Sequence, residues 1–331
     1  MNVLAPTRTS TRLVGIDAAR AIAFAGMLLA HFAASRRSDD PAWLRTLDDA
    51  ADGRAAPLFC LLLGVGAGLL AARGTSDAAF VRRGLVLFGL GLAVWPLIDD
   101  VYLILPHYGI LLALFPLVRL VPTRWLLPGA AVAFLIPSLV VAAFGDLGMR
   151  AGGQPSTYGE LLDLPSLLGG ILWTGGYPLV GWVGFVLVGA WLVRLPLRST
   201  RTQWLLLAGG LAVAATQPLW PASHAAAHSN RTAWYLLASA TAVAVLAACL
   251  LLAGGLRSLV PLGQMALTAY LAHLFLGEAL VFPWLRNAGP PLVAQVLVAA
   301  GVFVAFALAA RAWSAEHRRG PVESAVRALA C

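Results

Sequence analysis

Long apolar segments joined by short loops constrain this chain more than any other feature. A helix needs ~20 mostly apolar residues to cross a bilayer, and about ten segments are long enough. They are residues 14–34, 55–73, 84–100, 101–121, 125–145, 172–193, 203–220, 234–255, 262–283 and 291–312. The sequence therefore predicts an all-α, polytopic membrane helix bundle. An eleventh helix stays open, because the long stretch 166–194 is broken by Gly175-Gly176-Tyr177-Pro178.

The composition fits one membrane domain. Charged residues make up 11% of the chain, whereas soluble domains carry about 25%. We therefore expect residues 1–331 to form a single integral-membrane domain, with residues 1–12 and 313–331 as tails. The net charge of +8 comes from Arg, since the chain has no Lys. Because these Arg residues fall in short loops between apolar segments, we expect them to determine topology, and we expect no nucleic-acid partner.

The distribution of Arg predicts the orientation of the bundle. Cytoplasmic loops of membrane proteins carry an excess of basic residues. With the amino terminus placed inside, this excess alternates regularly from the second segment to the ninth. The inside loops then hold Arg73, Arg82, Arg83, Arg119, Arg124, Arg194, Arg198, Arg201 and Arg257. The pattern predicts that both termini are cytoplasmic, and we expect the chain in the plasma membrane.

Arg20 and His31 form a polar stripe within the first apolar segment. They lie eleven residues apart, which places them on nearly the same helix face, about 16 Å apart along the axis. Asp17 lies one turn before Arg20. Ionisable residues inside a span are costly and mark functional sites by default. Two interpretations stay open for Arg20: it pairs with Asp17, or its guanidinium binds phosphate oxygens of an anionic ligand.

Three His residues lie within apolar segments and are the candidates for acid–base catalysis. With the predicted topology, His31, His107 and His273 all fall at middle-to-outer depth on different segments. Such a cluster can supply a general base and the partner that orients it. The alternative is that each His forms a structural hydrogen bond between helices.

The remaining polar residues give weaker signals. Glu278 can pair with His273 or with Arg286. His224 and His228 have i, i+4 spacing, but no carboxylate or Cys accompanies them, so the sequence favours a solvated loop over a metal site. The three Cys residues also lack metal-site spacing. We therefore expect no metal.

Six stretches form an ordered set of motifs along the chain: Arg12–Arg20 with His31, Gly53–Gly66, Ile104–Gly109, Tyr177–Phe185, Leu262–His273 and Arg319–Glu323. This set resembles the transmembrane acyltransferase superfamily, in particular the heparan-α-glucosaminide N-acetyltransferase-like proteins and the related DUF418 proteins. The first stretch also resembles the Arg-x10-His motif of the acyltransferase-3 family. Each stretch is loose alone, but the ordered set is fairly specific and spans nearly the whole chain.

The resemblance implies a catalytic base. His31 matches the acyltransferase-3 His, which would act on the acceptor hydroxyl or amine, and His107 and His273 are further catalytic candidates. In the heparan-type enzymes the proposed catalytic His lies in the luminal loop after the first helix. Residues 35–54 contain no His here, which shifts the assignment of the base to His31.

The resemblance also implies a donor. An acyl-CoA, here expected to be acetyl-CoA, would enter from the cytoplasm and meet an acceptor on the far side. We expect Arg20 and Asp17, together with Tyr108 and Tyr270, to bind this donor.

The sequence thus favours an enzyme, an acyl-CoA-dependent O- or N-acyltransferase that acts on a sugar, glycolipid or secondary metabolite. A second hypothesis is a proton-coupled transporter or lipid-linked exporter, with the polar core as a proton relay. A third is a non-catalytic membrane partner or assembly factor. The expected partners are the lipid bilayer, acyl-CoA and the acceptor, and a homodimer stays open.

Overall fold

The computed structural model describes residues 13–33, 37–144 and 155–330, and their regular secondary structure is helical throughout. The first half contains α1 (Val14–Phe32), α2 (Ala42–Ala51), α3 (Ala55–Ala72), α4 (Asp77–Val94), α5 (Leu105–Ala113), α6 (Phe115–Leu120), α7 (Thr123–Phe144) and α8 (Leu164–Gly169). The second half contains α9 (Leu179–Leu192), α10 (Thr200–Ala214), α11 (Ala222–Ala225), α12 (Thr232–Leu251), α13 (Val260–Gln264), α14 (Ala266–Leu276), α15 (Phe282–Ala288), α16 (Leu292–Glu316) and α17 (Pro321–Ala330). The all-α prediction is confirmed for the described residues.

Seven helical segments in this part of the chain are long and apolar enough to cross a membrane. They are Val14–Phe32, Ala55–Ala72, Asp77–Leu97, Thr123–Ala143, Thr232–Leu251, Ala266–Ala288 and Leu292–Glu316. Their number supports a membrane protein, while the predicted total of about ten stays a prediction. The other three predicted segments form shorter helices, namely α5 with α6, α9 and α10.

Several predicted boundaries were wrong for local reasons. The predicted start at residue 84 lies inside α4, which begins at Asp77 because the side chain of Ser76 accepts a hydrogen bond from the backbone N–H of Ala79. The segment 101–121 is interrupted because Pro116 lies in the first turn of α6. The segment 262–283 is divided by a π-helical turn at Gly277–Val281.

Helix α1 lies at the centre of the bundle. It packs against α3, α12, α13, α14 and α16. Its Ala18, Ala19 and Ala21 are fully buried, and such small residues let helix backbones approach closely in membranes. The closest approach is between α1 and α13, where a Cβ atom added to Gly263 would lie 1.8 Å from the carbonyl oxygen of Asp17.

This contact predicts that Gly263→Ala destabilises the protein. The added methyl group must push α1 and α13 apart, and overpacking of this kind costs about 1–3 kcal/mol. Gly301→Ala is the matched control, because a Cβ atom at Gly301 on α16 meets nothing within 4 Å. We expect a lower thermal unfolding temperature in detergent for Gly263→Ala alone. Equal stability of the two variants would contradict the close contact.

Candidate functional site

A pair of His residues joins α1 to α14 in the core. Nδ1 of His31 lies 3.0 Å from Nε2 of His273, within hydrogen-bond distance. The two rings are stacked, with centroids 5.2 Å apart and planes inclined by 19°. His273 is completely buried, and Phe24 meets its ring edge-on at 5.5 Å. The structure therefore brings together two of the three candidate His residues, which lie 242 positions apart in the chain.

Two cavities meet beside this pair. We call them the Arg20 cavity, of about 280 Å³, and the His31 cavity, of about 270 Å³. Met27, Ile104 and Tyr270 line both cavities, so these three side chains form the wall between them, which we call the partition. Because Arg20 and His31 lie on the same helix, α1 runs from one cavity to the other past this partition.

The Arg20 cavity combines a cation with apolar walls. Nη1 of Arg20 donates a hydrogen bond to the Asp17 carboxylate at 2.8 Å. The Asp17 side chain is only 3% exposed, whereas that of Arg20 is 28% exposed. The ion pair therefore holds the guanidinium at the cavity without closing it off, and both interpretations of Arg20 are compatible with this geometry. Tyr108 and Tyr270 line the same cavity.

The His31 cavity has a different polar lining. Asp52, Tyr177 and His228 surround it together with His31. A larger cavity of about 1020 Å³ adjoins it, since Ala30 and Asp52 line both. The larger cavity, which we call the vestibule, therefore lies next to the His31 cavity on this side of the partition.

His228 is a site residue that sequence reasoning missed. It lies in a loop, as predicted, but its partly buried ring packs between aromatic side chains and lines the His31 cavity. The ring centroids of Trp234 and Tyr177 lie 5.2 and 5.6 Å away. Burial lowers the pKa of His228 below its ordinary value, although the carboxylate of Asp52 acts in the opposite direction. A neutral imidazole is thus favoured beside His31.

His107 lies on a neighbouring cavity rather than on the His31 cavity. It is 2% exposed and lines a space of about 280 Å³. Tyr177 meets the His107 ring edge-on at 5.8 Å and lines both spaces. The third candidate His is therefore separated from the His31–His273 pair by the Tyr177 ring.

Glu323, from the carboxyl-terminal helix α17, completes the wall of the Arg20 cavity. Its carboxylate accepts hydrogen bonds from the backbone N–H groups of Leu267 and Thr268, at 2.8 and 3.1 Å, and from the Thr268 hydroxyl at 2.5 Å. A carboxylate at a helix amino terminus satisfies unpaired N–H groups and complements the helix dipole. Glu323 therefore caps α14, the helix that carries Tyr270 and His273. In the sequence, the stretch Arg319–Glu323 stood out only as part of the resemblance, which assigned it no role.

Glu278 does not reach the His pair. Its carboxylate accepts hydrogen bonds from the backbone N–H groups of Asp99 and Asp100, and Arg286 pairs with Asp100 instead. Glu278 therefore binds the loop backbone at Asp99 and Asp100, and the predicted pairing with His273 or Arg286 is not formed. Within the described ranges, no group of three or more His, Cys, Asp or Glu residues is arranged to hold a metal.

An all-helical bundle with seven candidate spans and internal polar cavities is the architecture of an integral-membrane protein. Residues 12–226 match the family model described as heparan-alpha-glucosaminide N-acetyltransferase, catalytic. This match covers more than half of the chain, so the protein belongs to this family. Residues 189–331 match a second model, DUF418, described as a protein of unknown function. No curated protein matches the sequence, and the two family matches confirm the resemblance.

The cap on α14 predicts that Glu323→Ala destabilises the bundle. The variant leaves two backbone N–H groups and one hydroxyl without their acceptor, and we expect a loss of about 1–3 kcal/mol in unfolding free energy. Glu323→Gln, which keeps one acceptor oxygen, should lose less. Glu316→Ala is the control, because Glu316 is exposed near the end of α16. Thermal unfolding in detergent measures the difference, and equal stability of Glu323→Ala and Glu316→Ala would argue against the cap.

Proposed function

We propose that this protein is an integral-membrane acyltransferase that moves an acetyl group from cytoplasmic acetyl-CoA to a hydroxyl or amine acceptor on the other side. The observation that carries the proposal is the partition, because the cavity with a cation and the cavity with a base meet there. Membership of an acetyltransferase family supports the reaction type. A donor and an acceptor that enter from opposite sides would meet beside Tyr270.

The Arg20 cavity suits the donor. A guanidinium can bind phosphate oxygens through two parallel hydrogen bonds, and Asp17 orients Arg20 for such contacts. Apolar walls from Phe59, Leu62 and Leu105 suit the uncharged arm that links the phosphates of CoA to its thioester. The thioester would then reach the partition, with the phosphates still on the Arg20 side.

The His pair suits proton transfer. Nδ1 of His31 and Nε2 of His273 lie 3.0 Å apart, and either nitrogen can donate to the other, depending on the tautomers. We infer that Nδ1 of His31 carries a proton and donates a hydrogen bond to Nε2 of His273. This leaves Nε2 of His31 as a lone-pair base, and His273 acts as its orienting partner.

The reaction balances without a further reagent. The acceptor heteroatom bonds to the acyl carbon while its proton passes to Nε2 of His31. The carbon–sulfur bond then breaks, and the CoA thiolate takes the proton from the imidazolium. The products are the acylated acceptor and CoA thiol, and His31 returns to its neutral state.

The acceptor side is assigned to the His31 cavity and its vestibule. His228 and Asp52 are placed to hydrogen-bond an acceptor, since both line this cavity. His107 takes no part in the proposed proton transfer, because the Tyr177 ring lies between it and His31. A sugar, a glycolipid and a secondary metabolite are all compatible acceptors.

The orientation of the bundle is part of the proposal. Arg20 of α1 and Glu323 of α17 both line the Arg20 cavity, which supports the same side of the membrane for the first half of α1 and for α17. The Arg-rich loops assign this side to the cytoplasm, and the plasma membrane is the proposed location. A proton-coupled transporter that uses the same polar core is less favoured, because the family description names a transferase.

Transfer of a labelled acetyl group from acetyl-CoA by the purified protein tests this function. We expect His31→Ala to lower kcat by about 10²–10⁴-fold, because it removes the general base. His224→Ala is the matched control, since His224 lies in the short helix α11 and lines neither the His31 cavity nor its vestibule.

Two results would reject parts of this scheme. Full activity in His31→Ala would reject His31 as the base. Proton-dependent flux of a substrate in proteoliposomes, with no requirement for acetyl-CoA, would replace the transferase by a transporter.

A further inference from the structure

Tyr270 occupies the place where donor and base would meet. It lines both cavities as part of the partition and is only 6% exposed. It lies three residues before His273, hence on a neighbouring face of α14, and the two ring centroids are 5.4 Å apart. A thioester that reaches the base must therefore pass beside the Tyr270 ring.

The amino terminus of α5 faces the same phenol. The backbone N–H groups of Ile104 and Leu105 lie near the Tyr270 hydroxyl oxygen, and Ile104 lines both cavities together with Tyr270. The first N–H groups of a helix have no partners inside the helix, and Pro106, the next residue, has no N–H group. The two amides, and with them the positive end of the α5 dipole, therefore lie near the Tyr270 oxygen.

This arrangement involves the Tyr270 hydroxyl oxygen as an acceptor and leaves its O–H group available as a donor. A tyrosine hydroxyl can accept hydrogen bonds and donate one. The two backbone groups can only donate to the phenol oxygen, so they do not engage its O–H group. Hydrogen bonds in a chain strengthen one another, so the two amides make the O–H group a better donor towards the space between the cavities.

Acyl transfer needs such a donor. When the acceptor heteroatom attacks the thioester carbonyl, the new bond forms and the carbonyl electron pair moves onto oxygen. When the tetrahedral species collapses, the pair returns and the carbon–sulfur bond breaks. Fixed donors aimed at the transient oxyanion lower the barrier, and removing one costs about 10²–10³ in kcat.

We propose that Tyr270 is a catalytic residue of this site, whose O–H group donates a hydrogen bond to the oxyanion while the N–H groups of Ile104 and Leu105 polarise it. The proton stays on Tyr270 throughout, and His31 carries the transferred proton. The inference rests on the proposed acyl transfer.

Tyr270→Phe in the full-length protein tests this role. We expect kcat for acetyl transfer to fall about 100- to 1000-fold, with the KM for acetyl-CoA unchanged, because the ring and its packing remain. The control is Tyr158→Phe, which removes a hydroxyl that donates to the Ala93 carbonyl at 2.8 Å, outside both cavities. A kcat in Tyr270→Phe equal to that of Tyr158→Phe would overturn the inference.

A spectroscopic measurement covers the case in which Tyr270→Phe does not fold. The infrared carbonyl band of isotope-labelled acetyl-CoA bound to the wild-type protein should shift to lower frequency than in buffer, because a strong donor polarises the carbonyl. A band at or above the frequency in buffer overturns the inference.

If the wild type neither binds acetyl-CoA nor transfers its acetyl group, the proposed function itself fails. An active wild type with an equally active Tyr270→Phe removes only the role of Tyr270.

Discussion

The contact between α1 and α14 is the interaction on which the rest of the site depends. Two neutral imidazoles that share one hydrogen bond must take complementary tautomers, because one nitrogen donates and the other accepts. His273 is completely buried, so no water molecule can replace His31 as its hydrogen-bond partner. The tautomer of His31 is therefore tied to that of His273 through one hydrogen bond of 3.0 Å.

Backbone packing makes that contact possible. The absence of a side chain at Gly263 brings α13 against the backbone of α1 at Asp17, just before α14 begins. The same region of α1 carries Arg20, whose ion pair with Asp17 keeps a cation at the wall of an otherwise apolar cavity. A few turns of α1, α13 and α14 thus contain the close packing at Gly263, the ion pair of Arg20 and the contact between His31 and His273.

The sequence predicted the helices best where apolar runs are continuous. The predicted segments 14–34, 55–73 and 234–255 nearly coincide with α1, α3 and α12, because hydrophobicity and length alone determine them. Breaks inside a run were missed. The π-helical turn at Gly277–Val281 changes the hydrogen-bond pattern without changing the apolar character of the segment, so the sequence gives no sign of it.

The candidate site was predictable only in part, for a related reason. The depths of His31 and His273 follow from their positions along predicted helices, and the structure brings them together. His228 lies in a loop, and its position depends on packing among Tyr177, Trp182 and Trp234. No local pattern specifies such a contact. Glu323 was likewise outside the predicted site, because its partners lie more than fifty residues earlier in the chain.

The position of Glu323 also bears on the order in which the protein is made. Chains are synthesised from the amino terminus, and their early parts begin to fold first. The α14 helix and both rings of the His pair exist before the ribosome has reached α17. During that interval, the first turn of α14 lacks its carboxylate acceptor and the Arg20 cavity lacks one wall. Assembly of the site is therefore complete only after α17 has been synthesised and has packed against α14.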